Sequence, residues 1–308
     1  MESIKNVAVL GASGNLGRVV IPTLLRDGFT VTIIARPGSK TESHNADLIV
    51  KTADYANLAS MTLALRGQHA VVEAFNPAAG VHQHTIVQAA IAAGVSHLLT
   101  PDFSSDTFHA NAKELLIFGP KIQAQQELES LVEASDGALS WTAIIVGPWY
   151  DWGIERGALW IDREHRTVTR FGSGDQRYSM SRLELCGEAA AAVLREPAKY
   201  RNRPAYFASS TVSTNELIEI LEDIRTKETW KVVDVPVANL LQTGRRLWEE
   251  EEASGISDKL NSKAYPLLGT AALFDEENRF GADFGHKLEP GWDQGKDKLK
   301  EHLKQLLE

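Results

Sequence analysis

Apolar residues gather in short runs through the first half of the chain, and between the runs they recur at helical intervals. NVAVLG, from Asn6, fills consecutive positions with aliphatic residues and ends in glycine, the pattern of a short buried strand. Asn15 to Asp27 then spaces its apolar residues for one helix face, with Gly28 behind it as a stop signal. TVTIIAR, DLIVKTAD, HAVVEAF, SHLLTP and SWTAIIVG repeat the strand pattern, while Asn57 to Arg66, His82 to Ala93 and Lys121 to Ala134 repeat the helical one. Each crossover helix carries the chain back across the sheet, so successive strands pair in parallel. The pattern predicts an α/β fold with a doubly wound parallel sheet over residues 1–147.

Beyond Pro148 the alternation weakens. Trp149, Tyr150, Trp152 and Trp160 cluster in a glycine-punctuated segment, and helices at Leu183 to Leu194 and Asn215 to Arg225 are interleaved with the short strands AYFAS and KVVDV. This predicts a smaller C-terminal α/β domain over residues 148–308, a lid or substrate-binding part with elements returning to the sheet and a cleft between the two parts.

Composition narrows the functions available. The 308 residues are 43% apolar, enough for a packed core, and carry 41 acidic against 32 basic side chains, a formal charge of −9. Nucleic acid needs a basic stripe, so that partner is excluded in this reading. The acidic run Glu249 to Glu252 reads as a solvated helix face. A single cysteine, Cys186, excludes an internal disulfide and a multi-cysteine metal site, and its apolar neighbours make it a core residue. The first strand begins at Asn6 without a basic leader, and the longest uncharged apolar stretch, Ala138 to Tyr150, is shorter than a bilayer span. The expected setting is cytoplasmic, with no membrane partner. His82 and His84 are two apart, on different faces of a helix, and read as a polar helix start rather than metal ligands.

The chemistry begins at VLGASGNLGRVV. Gly11, Gly14 and Gly17, with Ser13, Asn15 and Leu16 between them, sit where the first strand turns into the first helix. A glycine turn there gathers main-chain N–H groups at a helix N-terminus, which binds a pyrophosphate without a charged side chain. In this scheme Gly11 makes the turn, Gly14 lets phosphates approach and Gly17 lets helix and strand pack closely. The spacing G-x-x-G-x-x-G is one residue longer in its first gap than the common dinucleotide fingerprint; the competing reading, a tight turn in a buried corner, is outweighed by the strand and helix on either side. At the end of the second strand, where a carboxylate would hold the ribose of NAD, stands Arg36, followed by Ser39 and Lys40. A guanidinium there suits the additional phosphate of NADP, so NADP(H) is the expected cofactor and the sheet is Rossmann-type.

GASGNLGR, TIIARPGSK, ADYANLASMTLALRGQHAVVEAF, QAAIAAGVSHLLTPDFS and IFGPKIQAQQELE together resemble the NmrA-like and isoflavone-reductase-like branch of the atypical short-chain dehydrogenases, in particular its fungal members. The resemblance runs over about the first 160 residues and more loosely to about residue 210. It implies that Asp54 helps hold the adenine region, that Phe75, Asn76 and Pro77 after the fourth strand border the cofactor, and that Pro101 and Pro148 lie beside it. The family motif Pro-Ser-Glu-Phe-Gly becomes Pro101-Asp102-Phe103-Ser104-Ser105 here, keeping the proline, an acid and the aromatic but losing the glycine and shifting the acid. The family's catalytic lysine, three residues after a phenylalanine, matches Lys121 in Phe118-Gly119-Pro120-Lys121. On a first helical turn beside a cationic nicotinamide its pKa should fall, which suits a proton donor. No Tyr-x-x-x-Lys pair is present; Tyr178 with Arg182 has the spacing but the wrong cation. Asp102, Phe103, Trp149, Tyr150, Trp152 and Tyr178 are the expected substrate contacts, the aromatic ones being equally readable as core.

The implied activity is NADPH-dependent reduction of a conjugated, aromatic or polycyclic small molecule, with C=C, C=N or quinone-methide groups as the hydride acceptors. Two other readings stay open: a redox-coupled cyclase of fungal secondary metabolism, and a regulatory protein that senses NADP(H) without turnover.

Overall fold

A computed structural model describes residues 3–39, 48–75, 77–157, 160–224 and 229–307. In chain order the first elements are β1 (Asn6–Leu10), α1 (Asn15–Arg26), β2 (Thr30–Ala35), β3 (Leu48–Thr52), α2 (Leu58–Leu65), β4 (Ala70–Glu73), α3 (Gln83–Ala93), β5 (His97–Leu99), α4 (Gly119–Ala134) and β6 (Ser140–Ile145). They follow the alternation expected from the hydrophobic pattern. The chain continues through α5 (Tyr150–Glu155), β7 (Ile161–Asp162), β8 (Thr167–Phe171), β9 (Arg177–Met180), α6 (Leu183–Arg195), β10 (Arg203–Tyr206), β11 (Ser210–Ser213), α7 (Thr214–Asp223), β12 (Lys231–Val235), α8 (Leu240–Ala253), α9 (Ala264–Leu273) and α10 (Gly295–Leu307).

The main sheet has the order β10-β6-β5-β4-β1-β2-β3, and every pairing from β6 to β3 is parallel. Register aligns Leu10 with Ile34 on one side and with Glu73 on the other. The chain runs outward from β1 through β2 to β3 and then returns to the opposite side of β1 as β4. Strand order therefore reverses between β1 and β4, and the carboxyl ends of such a pair are the usual ligand site of open parallel sheets. Helix α1 packs on α6 and α2 on α3. The α1 and α6 axes come close because Gly187 has no side chain: a Cβ there would lie 2.7 Å from both Val19 O and Thr23 Oγ1.

Two compact units interleave along the chain where one boundary near residue 147 was expected. The first comprises residues 1–103, 120–145 and 183–205; the second comprises 104–119, 146–182 and 206–308. Helix α6 belongs with the sheet because its small residues Cys186, Ala189, Ala190 and Ala191 are buried, filling a face that α1 alone would leave open. The second unit holds the three-stranded sheet β12-β8-β7 and the pair β11-β9. Its core gathers Trp160, Tyr178, Phe274, Leu217 and Leu299.

The acidic run is not uniformly solvated. Glu251 is 7% exposed, and its Oε1 accepts from the N–H groups of Lys263 and Ala264 at 2.8 and 3.2 Å, closing the start of α9. Burial alone would raise its pKa; hydrogen bonds from Ser262 and from these N–H groups outweigh that and hold it low.

Candidate functional site

The glycine turn lies at the switch point of the sheet. Gly11 has φ +88°, and a Cβ on it would meet the Ala74 carbonyl oxygen, just beyond β4, at 2.4 Å. At Gly17 a Cβ would come within 2.5 Å of the Gly11 carbonyl oxygen, so both residues are glycine for reasons internal to the protein. Gly14 differs. Its φ of −75° and ψ of 171° suit any residue, and a Cβ would find its nearest neighbour at 3.4 Å. Gly14 caps α1 without a side-chain hydrogen bond, and no acidic residue occupies the first turn of that helix. The N-terminus of α1 thus keeps its positive end for an anion, and the bare position at Gly14 is where one could approach. These residues fit a dinucleotide pyrophosphate.

At the end of β2, Arg36, Pro37, Gly38 and Ser39 form a reverse turn. Ser39 N–H donates to the Arg36 carbonyl at 3.1 Å, with Gly38 at φ +77°. Both Arg36 and Ser39 are exposed. Lys40 and Asn76 lie outside the described residues. Beyond β3, Asp54 Oδ1 accepts from Ala56 N–H at 3.0 Å while its own N–H donates to Ser60 Oγ. The neighbouring Tyr55 escaped the sequence reading. Its buried hydroxyl donates to the Ile34 carbonyl at 2.7 Å, and a backbone hydrogen bond from Gly11 ties it to the glycine turn. Burial, only partly offset by Arg36 and the Gly11 bond, pushes its pKa up to about 12, so it stays a neutral bolt between β2 and the turn. Its ring neighbours Phe75 and His82, at centroid distances of 6.4 and 6.3 Å.

Lys121 stands on the first turn of α4, as expected from Pro120 before it. Its Nζ donates to the Asp102 carbonyl oxygen at 2.6 Å. Burial lowers its pKa and the Asp102 carboxylate opposes the shift, so the direction is the expected one but desolvation is the cause. Pro101 is buried. Asp102 is buried and accepts from Thr100 Oγ1 at 2.7 Å. Phe103 adopts φ +37°, uncommon for a bulky side chain, at the place where the family pattern is altered. Its ring is 1% exposed and packs inward, so it presents no surface to a substrate.

Among the other expected contacts, Pro148 accepts from Ser181 N–H in the second unit. Trp149 and Trp152 are partly exposed there, with rings edge to face at 6.2 Å. Tyr150 is buried and its hydroxyl pairs with His302 Nδ1 at 2.8 Å. Tyr178 has no exposed surface: it packs with Trp160 and Phe274 and meets Thr214 Oγ1, and burial raises its pKa. Tyr178 is therefore a core residue rather than a substrate contact. Two open pockets in the second unit, of about 380 and 540 Å³, are lined by none of the expected site residues. His84 pairs with Glu127 at 2.8 Å. Among the described residues no helix is long and apolar enough to cross a membrane.

A family model described as NAD(P)H-binding matches residues 11–172. Oxidoreductase aprR of Aspergillus flavus is 31% identical over 230 residues, spanning 73% of this chain and 75% of its own. At lower identity the fold is shared with solved reductases. Leucoanthocyanidin reductase of Vitis vinifera, in a binary complex with NADPH, superposes with a TM-score of 0.73 at 17% identity, covering 98% of this chain and 99% of its own. Triphenylmethane reductase of Citrobacter sp., complexed with NADP(H), gives 0.66 at 21% identity with the same coverages of 98% and 99%.

Proposed function

Because the chain belongs to the NAD(P)H-binding family, we propose that it is an NADPH-dependent reductase of a conjugated, aromatic or polycyclic small molecule, with Lys121 as its proton donor. The observation that carries this reading is the environment of Lys121: an ammonium tethered to a backbone carbonyl, its pKa lowered by burial, in the same unit as the glycine turn. Bound NADPH would supply a hydride to an electrophilic carbon of the substrate.

The residues that would hold the cofactor are Gly11 to Gly17 for the pyrophosphate, Arg36 with Ser39 for the 2′-phosphate, and Asp54 and Phe75 for the remainder. A guanidinium favours NADP over NAD because the additional phosphate offers charge-assisted hydrogen bonds. Lys121 gives one proton to the atom that gains electron density as the hydride arrives, which completes a two-electron reduction. Its depressed pKa makes that transfer easier near neutral pH, and solvent reprotonates the amine. The Asp102 carbonyl fixes the direction of the ammonium.

Single-turnover oxidation of NADPH by candidate enones, imines and triarylmethane dyes tests the reading. Lys121→Met should leave NADPH affinity nearly unchanged and slow the turnover about 100-fold. A full-rate mutant removes Lys121 from the role, and no turnover of any such acceptor by the wild type favours the sensor.

A further inference from the structure

The last residue of β4, a strand otherwise made of aliphatic residues, is a glutamate without exposed surface. Glu73 pairs across the sheet with Leu10 at the carboxyl end of β1, under the switch point. Its Oε2 accepts from Gln83 Nε2 at 3.1 Å, and Gln83, on the first turn of α3, is 1% exposed. The other oxygens of the two groups, Glu73 Oε1 and Gln83 Oε1, are both buried without a hydrogen-bond partner. Two orphaned acceptors on an already bonded acid and amide share one remedy. A single proton on Glu73 Oε1, donated to Gln83 Oε1, satisfies both atoms at once.

We propose that Glu73 is kept as the neutral acid and closes a two-hydrogen-bond pair with Gln83, and that this pair positions the chain between β4 and α3 for cofactor binding. The positioning role rests on the reading that NADPH occupies the crevice above β1 and β4. The chain so fixed contains Ala74, whose carbonyl abuts Gly11, then Phe75, then a 3-10 turn over Pro77–His82. A Cβ at Gly80 in that turn would lie 3.7 Å from Ala124 Cβ and 3.8 Å from the Pro120 carbonyl, so the connection also rests on the first turn of α4, which carries Lys121. The pair thus braces the phosphate turn and the proton donor through one segment. Burial and the carboxylate of Asp102, beyond β5, push the Glu73 pKa up to about 8, against the hydrogen bond from Gln83. Among the described residues, the Tyr55 phenol beyond β3 also interacts electrostatically with it. Glu73 is thus a positioning residue, since it acts through the segment it ties down.

Infrared spectra of the cofactor-free protein with ¹³C-labelled glutamate carboxyls should show a protonated glutamate at pH 6.5. The band should fade as pH passes about 8 and be missing in Glu73→Gln. Folding gives an independent readout. The folded state holds this proton above the ordinary pKa of 4.5, so stability is full below that value and falls as pH rises toward 8, by up to about tenfold in the folding constant per pH unit relative to Glu73→Gln. For NADPH, the wild-type dissociation constant should weaken about tenfold from pH 7 to pH 9. Glu73→Gln keeps both hydrogen bonds without a proton to lose, so it should match wild type at pH 7 and lack the steepening. Gln83→Met should bind more weakly already at pH 7.

No protonated glutamate at pH 6.5, or the same alkaline loss of affinity in Glu73→Gln, overturns the proposal. If Glu73→Gln does not fold, the wild-type infrared titration and Gln83→Met decide it. If no form binds NADPH, the cofactor reading and the positioning role fall together, and the infrared band alone decides whether the pair exists.

Discussion

Replacing the three turn glycines one at a time should separate fold from ligand. At Gly17 a Cβ would sit 2.5 Å from the Gly11 carbonyl oxygen and 2.6 Å from Ala12 Cα, both backbone atoms. Relief requires α1 to retreat by roughly 1 Å, an overpacking strain of about 1–3 kcal/mol. Gly11→Ala adds a left-handed backbone cost of about 1–2 kcal/mol to a 2.4 Å clash with Ala74, so it should be the most destabilising. At Gly14 the nearest atoms stand at 3.4 and 3.7 Å in an extended backbone. Loss of the glycine cap to alanine there costs less than about 1 kcal/mol. The larger Gly14→Val should melt within a few degrees of wild type, yet lose two charge-assisted phosphate contacts of about 1.5–3 kcal/mol each, a drop in NADPH affinity of at least about 100-fold. Thermal melts with and without NADPH, alongside tryptophan-fluorescence titrations, read both quantities. If Gly14→Val binds NADPH like wild type, or if the Gly14 and Gly17 variants lose stability equally, the division of labour inferred from the turn geometry is wrong.

Arg36→Asp should weaken NADPH by about 2–3 kcal/mol while changing NADH far less, and equal affinities of the unmutated protein for the two cofactors would refute the 2′-phosphate assignment. His97 is held between Ser140 Oγ and Thr142 Oγ1 at 2.8 and 3.0 Å, and burial, aided by Arg201, lowers its pKa to about 4. It folds neutral, so its contribution is present above pH 6.5 and is lost as pH falls toward 4. Urea unfolding at several pH values should show wild type losing about 3 kcal/mol more than His97→Gln over that interval, and parallel curves would contradict it.

The doubly wound core was readable because its signals are local. Each strand from β1 to β6 fills consecutive positions with apolar residues, and each helix keeps its own period, down to Asn57 accepting from Ser60 N–H as the cap of α2. The second unit was harder. AYFAS predicts one strand, but pairing to the main sheet ends at Tyr206 and resumes elsewhere at Ser210, because Phe207 and Ala208 are buried through tertiary packing rather than in a ladder. Strands β7 to β9 are short and mixed in polarity, and although β7 and β8 pair locally, β8 also pairs with β12 and β9 with β11, well along the chain. At the candidate site, Gly11, Gly17 and the proline before Lys121 were visible because backbone geometry favours them, and Gly14 because a bare position lets a phosphate approach. Tyr55 and Glu73 were not, since a hydroxyl bonded to Ile34 and a carboxyl bonded to Gln83 have no local sequence period. The one clue was a lone carboxylate within AVVEAF. Phe103 and Tyr178 show the opposite failure: aromatic residues beside a cleft-forming strand end and aromatic residues in a core look alike until exposure is known.

The interleaving of the two units bears on how the protein emerges from the ribosome. Strand β6 leaves the tunnel well before α6, which begins about 40 residues later, and β10, which is complete only after about 60, or roughly 3–12 s at ordinary elongation rates. During that pause the nascent sheet has β6 as a raw edge, and the face of α1 that will receive Gly187 is bare. A fragment ending near residue 147 would hold this state permanently. It should therefore be a client of chaperones and a poor soluble product, although every phosphate-turn residue is present in it. Slow codons placed between residues 147 and 205 should prolong the exposure and lower the soluble yield, whereas the same codons after residue 206 should leave the sheet already closed.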